Sequence, residues 1–238
     1  MRNISSTLIF VIALLVLCGG SSHAANFSKG LEAYDAKDFV TARRIWRELA
    51  EQGHANAQMN LGLMYDYGKG VKKNHKKAIR WYSRAADQGH ANAQNNLGVM
   101  YDIGKGVDQD YIEAAKWYRE AAEQGNANAQ VKLGLMHYEG KGVTQSHLEA
   151  SKWYHKAAEQ MHAGAQYNLG KVYQTGQGIK QDHNKAAKWY RKAAEQGYAP
   201  AQLSLGLMYK KGDGVPQDHK ESVKWFRKAS EKGHTQAQ

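Results

Sequence analysis

Two hydrophobic patterns alternate along most of this chain, and each has the period of an α-helix. Apolar residues fall at helical offsets between Ala57 and Tyr65, and they do so again between Ala78 and Ala86. Each stripe covers one side of a helix, so each predicts an amphipathic helix with one face to bury. A glycine-containing stretch at 68–71 separates the two stripes. The pattern therefore predicts pairs of α-helices joined by a tight loop.

The helix pair recurs with a period of 36 residues. The turn that opens it reads Gly-His-Ala-Asn-Ala-Gln at residues 53–58. A constant period of this length indicates units stacked in one dimension, each burying its apolar face against its neighbours. We therefore predict an all-α fold, an α/α solenoid of five full units. Variants of the opening turn begin at Gly89, Gly125, Met161, Gly197 and Gly233.

Large and small residues occupy fixed columns of the repeat. The pair Trp81-Tyr82 recurs in the second helix of each repeat, as Trp225-Phe226 in the last one, and we expect these rings to pack in the core. A glycine such as Gly62 stands in the middle of every first helix, where it costs about 1 kcal/mol relative to alanine. Its recurrence predicts a close approach of the second helix, with the small residues Ala85 and Ala86 facing the glycine.

The ends of the helices also have sequence signals. In each loop, a glycine such as Gly68 predicts a left-handed C-terminus of the first helix. Asn74 and its equivalents predict N-caps of the second helices, and Glu113, Glu149 and Glu221 predict capping boxes. A further column predicts N-caps of the first helices and consists of Asn56, Asn92 and Asn128.

Three runs taken together resemble the Sel1-like repeat. They are Ala-x-x-x-Leu-Gly-x-Met-Tyr at 57–65, Gly-x-Gly-Val at 68–71 and Lys-Ala-x-x-Trp-Tyr-x-x-Ala-Ala-x-x-Gly at 77–89. These repeats are related to tetratricopeptide repeats. The resemblance implies a right-handed superhelical solenoid that serves as a scaffold for protein partners.

The resemblance also defines the parts of the chain. Residues 25–52 resemble a shorter tetratricopeptide-type helical pair, which we expect to cap the N-terminal end of the stack. Five 36-residue repeats follow at 53–232, and 233–238 reads as the truncated start of a further repeat. Since no polar capping helix follows, oligomerisation through the last repeat is an open alternative.

Residues 1–24 have the pattern of a signal peptide. Arg2 precedes an unbroken apolar run from Leu8 to Leu17, and the small residue Ala24 stands where a peptidase would cut. Ten apolar residues are too few to span a bilayer, which needs about 20. Cys18, the only cysteine, follows leucine and not a small residue, so we do not expect a lipid anchor. The sequence predicts export to the periplasm or the medium, with no transmembrane segment.

The charge is strongly positive, with 33 lysines and arginines against 22 acidic residues. Without Arg2 the balance is 32 against 22, or +10. Such an excess can attract nucleic acid, anionic glycans or lipid head groups. The basic residues are scattered over every repeat, which favours the interpretation of a solvated basic surface, and we predict no nucleic-acid partner. Binding of an envelope polysaccharide or lipid is kept as an alternative, and it should weaken steeply with salt.

No catalytic or metal-binding arrangement follows from the sequence. There is no Gly-x-Ser-x-Gly elbow, and the only cysteine lies in the predicted signal peptide. Histidines of neighbouring repeats should lie about 10 Å apart, whereas a shared zinc ion needs ligands at about 2 Å. We predict no enzyme, no cofactor and no metal. The enzymatic alternative is a β-lactamase-like or penicillin-binding activity, suggested for secreted repeat proteins whose paired cysteines this chain lacks.

Candidate binding residues lie on the first helices, which the resemblance places on a concave face. Each asparagine there offers a donor and an acceptor for the backbone of an extended partner segment, as in related tetratricopeptide proteins. A solvated helix surface is the alternative interpretation. The third and fourth repeats depart most from the common pattern, so a specific contact is expected there. The predicted groove for a protein or peptide partner consists of Met59, Asn60, Asn95, Asn96, Lys132, Tyr138, Tyr167, Asn168, Lys171 and Gln174.

Overall fold

Every regular element of the described chain is an α-helix. The computed structural model describes the backbone of residues 23–235 and the side chains of 23–231, so most of the predicted signal peptide, with Cys18, lies outside it. Twelve helices follow one another in this range. They are α1 (23–35), α2 (Phe39–Glu51), α3 (Ala55–Tyr67), α4 (His75–Ala86), α5 (Ala91–Ile103), α6 (Tyr111–Glu123), α7 (Ala127–Glu139), α8 (His147–Glu159), α9 (Ala163–Thr175), α10 (His183–Glu195), α11 (Ala199–Lys211) and α12 (His219–Thr235).

The contacts between residues divide the chain into two compact units. The first unit runs to Met100 and also includes Gly104–Asp108. The second unit consists of Tyr101–Ile103 and of the residues from Gln109 onward. Helices α1 to α4 thus belong to the first unit and α6 to α12 to the second, while α5 contributes to both.

The core of the first unit joins the N-terminal helical pair to the first repeat. Trp46 of α2 is buried, together with Leu61 and Met64 of α3, and Trp81 of α4 packs against this cluster. A β-carbon at Gly30 of α1 would overlap the indole ring of Trp46. Close packing between α1 and α2 therefore requires glycine at this position.

The mid-helix glycines lie under the buried tyrosines of the second helices. A β-carbon at Gly170 of α9 would lie 2.6 Å from a ring carbon of Tyr190 in α10, and Gly134 stands in the same relation to Tyr154. The predicted close approach is thus present, but a tyrosine ring and not an alanine faces the glycine. The alanines Ala193 and Ala194 of α10 are buried in the same cluster.

The loop glycines have the predicted conformation. Gly68, Gly140 and Gly176 end their helices with φ of +72°, +71° and +72°, which is the left-handed region. The second glycine of each loop has a further role, since a β-carbon at Gly142 would overlap the carbonyl of Tyr111 in the preceding second helix. This glycine allows one repeat to pack against the preceding one.

Aspartate, asparagine and serine cap the second helices as predicted, but the capping boxes are wrong. Asp110 accepts hydrogen bonds from the N–H groups of Ile112 and Glu113. Its own N–H donates to the carbonyl of Tyr101 at 3.0 Å, so it is not available to Glu113. Glu113 forms an ion pair with Lys116 instead, and Glu149 and Glu221 do the same with the lysines three residues later.

Histidines cap the first helices. From the sequence, this capping role was predicted for the column of Asn56 and Asn128. The Nδ1 atom of His90 accepts from the N–H of Ala93, and His54 and His162 cap their helices in the same way. The Nε2 atom of His90 lies 2.9 Å from the Oδ1 of Asn56, and the equivalent contact of Asn128 with His162 is 3.2 Å. These asparagines therefore bind the capping histidine of the next repeat.

A row of buried glutamines joins each repeat to the preceding one. The Nε2 of Gln166 in α9 donates to the carbonyl of Ala158 in α8, and its Oε1 accepts from Gln196 at 2.8 Å. Gln130 makes the equivalent pair of bonds with Ala122 and Gln160. Burial favours pairing of these amides, and the paired ones fix the register between repeats. In α11 the Oε1 of Gln202 has no hydrogen-bond partner among the described residues.

The last helix differs from the repeat pattern. Gly233 predicts a turn there and residues 233–238 the start of a further repeat, but α12 continues to Thr235 as a 17-residue helix. In the earlier repeats, the buried glutamine of the next first helix donates a hydrogen bond to a carbonyl near the end of the second helix, just before the turn. The equivalent residue, Gln238, lies outside the described range, and local helical hydrogen bonding continues through Thr235 in place of the predicted turn.

We expect Gly170→Ala to destabilise the chain by up to about 2 kcal/mol. Overpacking a core costs roughly 1–3 kcal/mol, while alanine gains about 1 kcal/mol of helix propensity. The control is Gly164→Ala on the same helix, where the equivalent residues Asn56 and Asn128 already carry a β-carbon. Thermal unfolding followed by circular dichroism should show a lower Tm for Gly170→Ala only. An equal Tm for both variants would contradict the packing role of Gly170.

We expect the histidine caps to make the stability depend on pH. Burial lowers the pKa of His54, His90 and His162 below the ordinary value of about 6.5. Their neutral rings accept the capping bond, so this stabilisation is present above about pH 6.5 and is lost as the pH falls through the lowered pKa. Each cap is worth about 1 kcal/mol.

The variant His54→Asn/His90→Asn/His162→Asn separates these caps from the other histidines. Asn126 occupies the same position in the third repeat and caps α7 with its side chain. We therefore expect a folded triple variant whose Tm falls less between pH 7.5 and pH 5 than that of the parent chain. The same fall in both proteins would show that the caps do not titrate.

Candidate functional site

The exposed face of the first helices in the second unit is partly apolar. Leu135 of α7 is 37% exposed, and Leu203 and Leu207 of α11 are 50% and 44% exposed. These leucines lie on the solvent-exposed part of their helices. We call this surface, on α7, α9 and α11, the first-helix face.

A small cleft opens on this face between α7 and α9. Its volume is about 50 Å³, and it brings together Tyr138, Asn168 and Lys171 of the predicted groove. The hydroxyl of Tyr138 donates to the Oε1 of Gln177 at 2.6 Å. The Lys171 ammonium lies 5.9 Å from the centre of the Tyr138 ring, which is within cation–π range. The cleft thus combines an aromatic ring, an amide and a cation.

The side chains of two further predicted residues form polar contacts with other residues of the chain. Lys132 forms an ion pair with Asp102 at 3.3 Å, and the same carboxylate accepts from the hydroxyl of Tyr118. The Oε1 of Gln174 accepts from the hydroxyl of Tyr190 at 2.8 Å. The side-chain oxygens of Asp102 and Gln174 therefore hold the hydroxyl groups of the buried tyrosines.

The tyrosines of these contacts remain protonated donors. Burial raises the pKa of Tyr118 and of Tyr190 far above the ordinary value of a phenol. A third predicted residue, Tyr167, packs its ring against Tyr190 and Tyr198 at 5.6 and 5.4 Å between ring centres. Tyr167 thus contributes to packing as well as to the half-buried surface of α9.

The predicted residues of the first unit are closer to the core than expected. Met59 is only 8% exposed, so its place in an open groove is wrong. Its sulfur accepts from the amide of Asn96 at 3.8 Å, and Asn96 in turn accepts from Asn95. Asn60 is half-buried on the same helix as Met59. The amides of Asn95 and Asn96 thus already bond to neighbouring side chains.

The structure adds lining residues that the sequence reading missed. Leu135, Thr175 and Gln177 line the cleft beside the predicted residues. Leu135 stands in the same repeat column as Leu63, Lys171 and Leu207, and the sequence analysis assigned no role to this leucine. The lysine in this column indicated that Leu135 is exposed, because a column that accepts lysine faces solvent.

The described chain offers neither a metal cluster nor a membrane-spanning helix. Residues 23–231 contain no group of three or more histidine, cysteine, aspartate or glutamate side chains placed to hold a metal ion. None of the described helices has the length and apolar character needed to cross a bilayer.

Comparison with known families identifies the repeat. The Sel1 repeat model matches five consecutive segments, which together make up more than half of the chain. This chain belongs to the Sel1 repeat family. The Sel1 repeats lie at 55–90, 91–126, 127–162, 163–198 and 199–234. Sel1 repeats typically serve as scaffolds for protein interactions and are generally not enzymes.

Solved structures confirm the all-α repeat solenoid. The protective antigen c5321 of uropathogenic Escherichia coli strains is 39% identical, with a TM-score of 0.86 over 93% of this chain. A Sel1 repeat protein from Oxalobacter formigenes is also 39% identical, with a TM-score of 0.82 over 86% of this chain and 84% of its own. This Sel1 repeat chain spans 48% of the length of c5321.

A curated relative carries an enzymatic name. The putative β-lactamase HcpC of Helicobacter pylori is 31% identical over 82 residues. The match covers 32% of this Sel1 repeat chain and 28% of HcpC. Since the chain spans less than a third of HcpC, the shared region describes the repeat and not the whole relative.

Proposed function

We propose that this Sel1 repeat chain is an exported, non-enzymatic scaffold that binds a segment of a protein partner on its first-helix face. The observation that carries the proposal is the cleft between α7 and α9, where Tyr138, Asn168 and Lys171 meet beside the exposed Leu135. An apolar surface with a few convergent polar groups is typical of peptide recognition. Export rests on the signal-peptide pattern of residues 1–24.

The composition of the face defines the chemistry of the partner. Exposed leucines on α7 and α11 would receive apolar side chains of the segment. Lys171, Lys210 and Lys211 are exposed on α9 and α11, and they favour acidic side chains beside the apolar ones. The half-buried amide of Asn168 offers both a donor and an acceptor to the backbone of the segment. We therefore infer an amphipathic partner segment of acidic and apolar residues.

Selection of peptides from a displayed random library tests this proposal. We expect enriched peptides that combine spaced leucine-like residues with aspartate or glutamate. The variant Leu135→Ser/Lys171→Glu should weaken the binding of such a peptide at least tenfold, because it removes the apolar contact and reverses the charge. Fluorescence anisotropy with the labelled peptide measures the loss.

A matched control places the same changes on a second helix. Leu148→Ser/Lys152→Glu alters an exposed leucine and an exposed lysine of α8, outside the first-helix face. This variant should keep the affinity of the parent chain. Equal losses in both variants, or unchanged binding in Leu135→Ser/Lys171→Glu, would disprove the assignment of the face.

The enzymatic alternative has a direct assay. The name of HcpC motivates it, and the predicted absence of a nucleophile opposes it. We expect no hydrolysis of nitrocefin by the purified chain above that of an equal amount of its heat-unfolded form. Turnover that disappears on unfolding would replace the scaffold proposal by an enzymatic one.

A further inference from the structure

The basic residues of the first unit converge on one cleft, whereas the sequence predicted a scattered charge. The cleft has a volume of about 270 Å³ and lies between α2 and α4, above Leu61 and Tyr65 of α3. Five of its lining side chains are cationic and one is acidic. They are Arg43, Arg47, Lys77, Arg80, Arg84 and Glu51.

Most of this charge is uncompensated. Glu51 is bound to Arg47 at 2.8 Å, which leaves four cations in the lining. Among the described residues, none of these four has a carboxylate within ion-pair distance. Like charges held together without counter-ions repel, so such a cluster costs stability unless a ligand neutralises it. The arrangement is therefore typical of an anion-binding site.

The equivalent position in the third repeat has a different charge balance. The place of Lys77 is taken there by Glu149, which forms an ion pair with Lys152 at 2.6 Å. On α6, the second helix of the preceding repeat, Ala115 stands in the place of Arg43. The common scaffold therefore does not require the cationic cluster, since another repeat folds with a glutamate and an alanine in these columns.

Two aromatic rings hold cations at the cleft. The Lys77 ammonium lies 5.4 Å from the centre of the Tyr65 ring, and the Arg84 guanidinium lies 4.7 Å from the Trp81 ring. Cation–π contacts hold the cations in place and leave their N–H donors free for a ligand. This reduces the entropy that binding would otherwise cost.

The shape and charge of the cleft define its ligand. Guanidinium groups bind phosphate oxygens through two parallel hydrogen bonds, and a phosphate ester carries a charge of about −1.5 to −2 at pH 7. Two phosphates therefore match four cations, whereas four carboxylates would be needed for the same charge. We propose that it binds a compact group with two phosphates, either a soluble molecule or the headgroup of a lipid.

Titration calorimetry of the full chain with pyrophosphate tests the site. We expect saturable binding with a stoichiometry of one, weakened at least tenfold in Arg43→Gln/Arg80→Gln. Lys77→Glu should have a similar effect, and it should fold because Glu149 and Glu221 stand in the same column. The absence of pyrophosphate binding to the parent chain would overturn the proposal.

The control removes two charges from the equivalent positions two repeats further along the chain, on α6 and α8. Arg119→Gln/Lys152→Gln changes the positions that correspond to Arg47 and Arg80, so the net charge falls by the same amount. We expect its affinity for pyrophosphate to equal that of the parent chain. An equal loss in the control would show a general charge effect and would overturn the proposed site.

Two further arms identify the source of the phosphates. Sedimentation with phosphatidylcholine vesicles containing cardiolipin, in competition with pyrophosphate, indicates a lipid headgroup. Binding of pyrophosphate without binding of these vesicles indicates a soluble ligand. Tighter binding of a decaglutamate peptide than of pyrophosphate would overturn the proposal in favour of an acidic protein segment. Because the first-helix face is changed in none of these variants, this test is independent of the proposed scaffold function.

Discussion

The contact between a glycine of the first helix and a buried tyrosine of the second is the constraint on which each repeat depends. Tyr190 lies directly against Gly170, so its ring needs the space that any side chain would occupy. Its hydroxyl then reaches Gln174, one turn further along the same first helix. One aromatic residue thus fixes both the distance and the register of a helix pair. Small residues such as Ala193 and Ala194 complete the close packing that follows.

Stacking between repeats depends on buried polar bonds as much as on apolar packing. Alanine-rich interfaces have little shape to define a register, whereas a buried amide loses about 1–3 kcal/mol if its partner is misplaced. Gln166 satisfies this requirement by bonding the end of α8 and the next glutamine, Gln196. The histidine caps act in the same way, because His162 bonds its own helix and Asn128 of the preceding repeat. The solenoid is thus tied together by bonds that a hydrophobicity pattern does not record.

Local features of the fold could be predicted from the sequence. The helix pairs, the left-handed Gly68 and the N-cap at Asp110 depend on residues within one turn of each other, where spacing alone decides the contact. The cap at His90, the bond from Gln166 and the exposure of Leu135 depend on contacts between helices. Met59 was misplaced for the same reason, since it contacts Asn96 of the following repeat. For the candidate site, the sequence therefore identified the columns of the first helices that vary. It did not predict which residues of these columns lie close together.

A residue that departs from the repeat pattern carries information about binding where the packing of the helices does not determine the residue type. The columns of Tyr190 and Gly170 are determined by packing, since an aromatic ring lies on the glycine in the last repeat too, as Phe226 on Gly206, so these columns carry no information about a ligand. The column of Lys77 accepts either charge, because Glu149 occupies it in the third repeat without any change in the helix pair. The helix pair therefore does not itself determine the charge at this position. The same reasoning applies to Lys171, which stands among leucines in its column. Comparing the repeats in this way distinguishes residues available for binding from residues that packing requires.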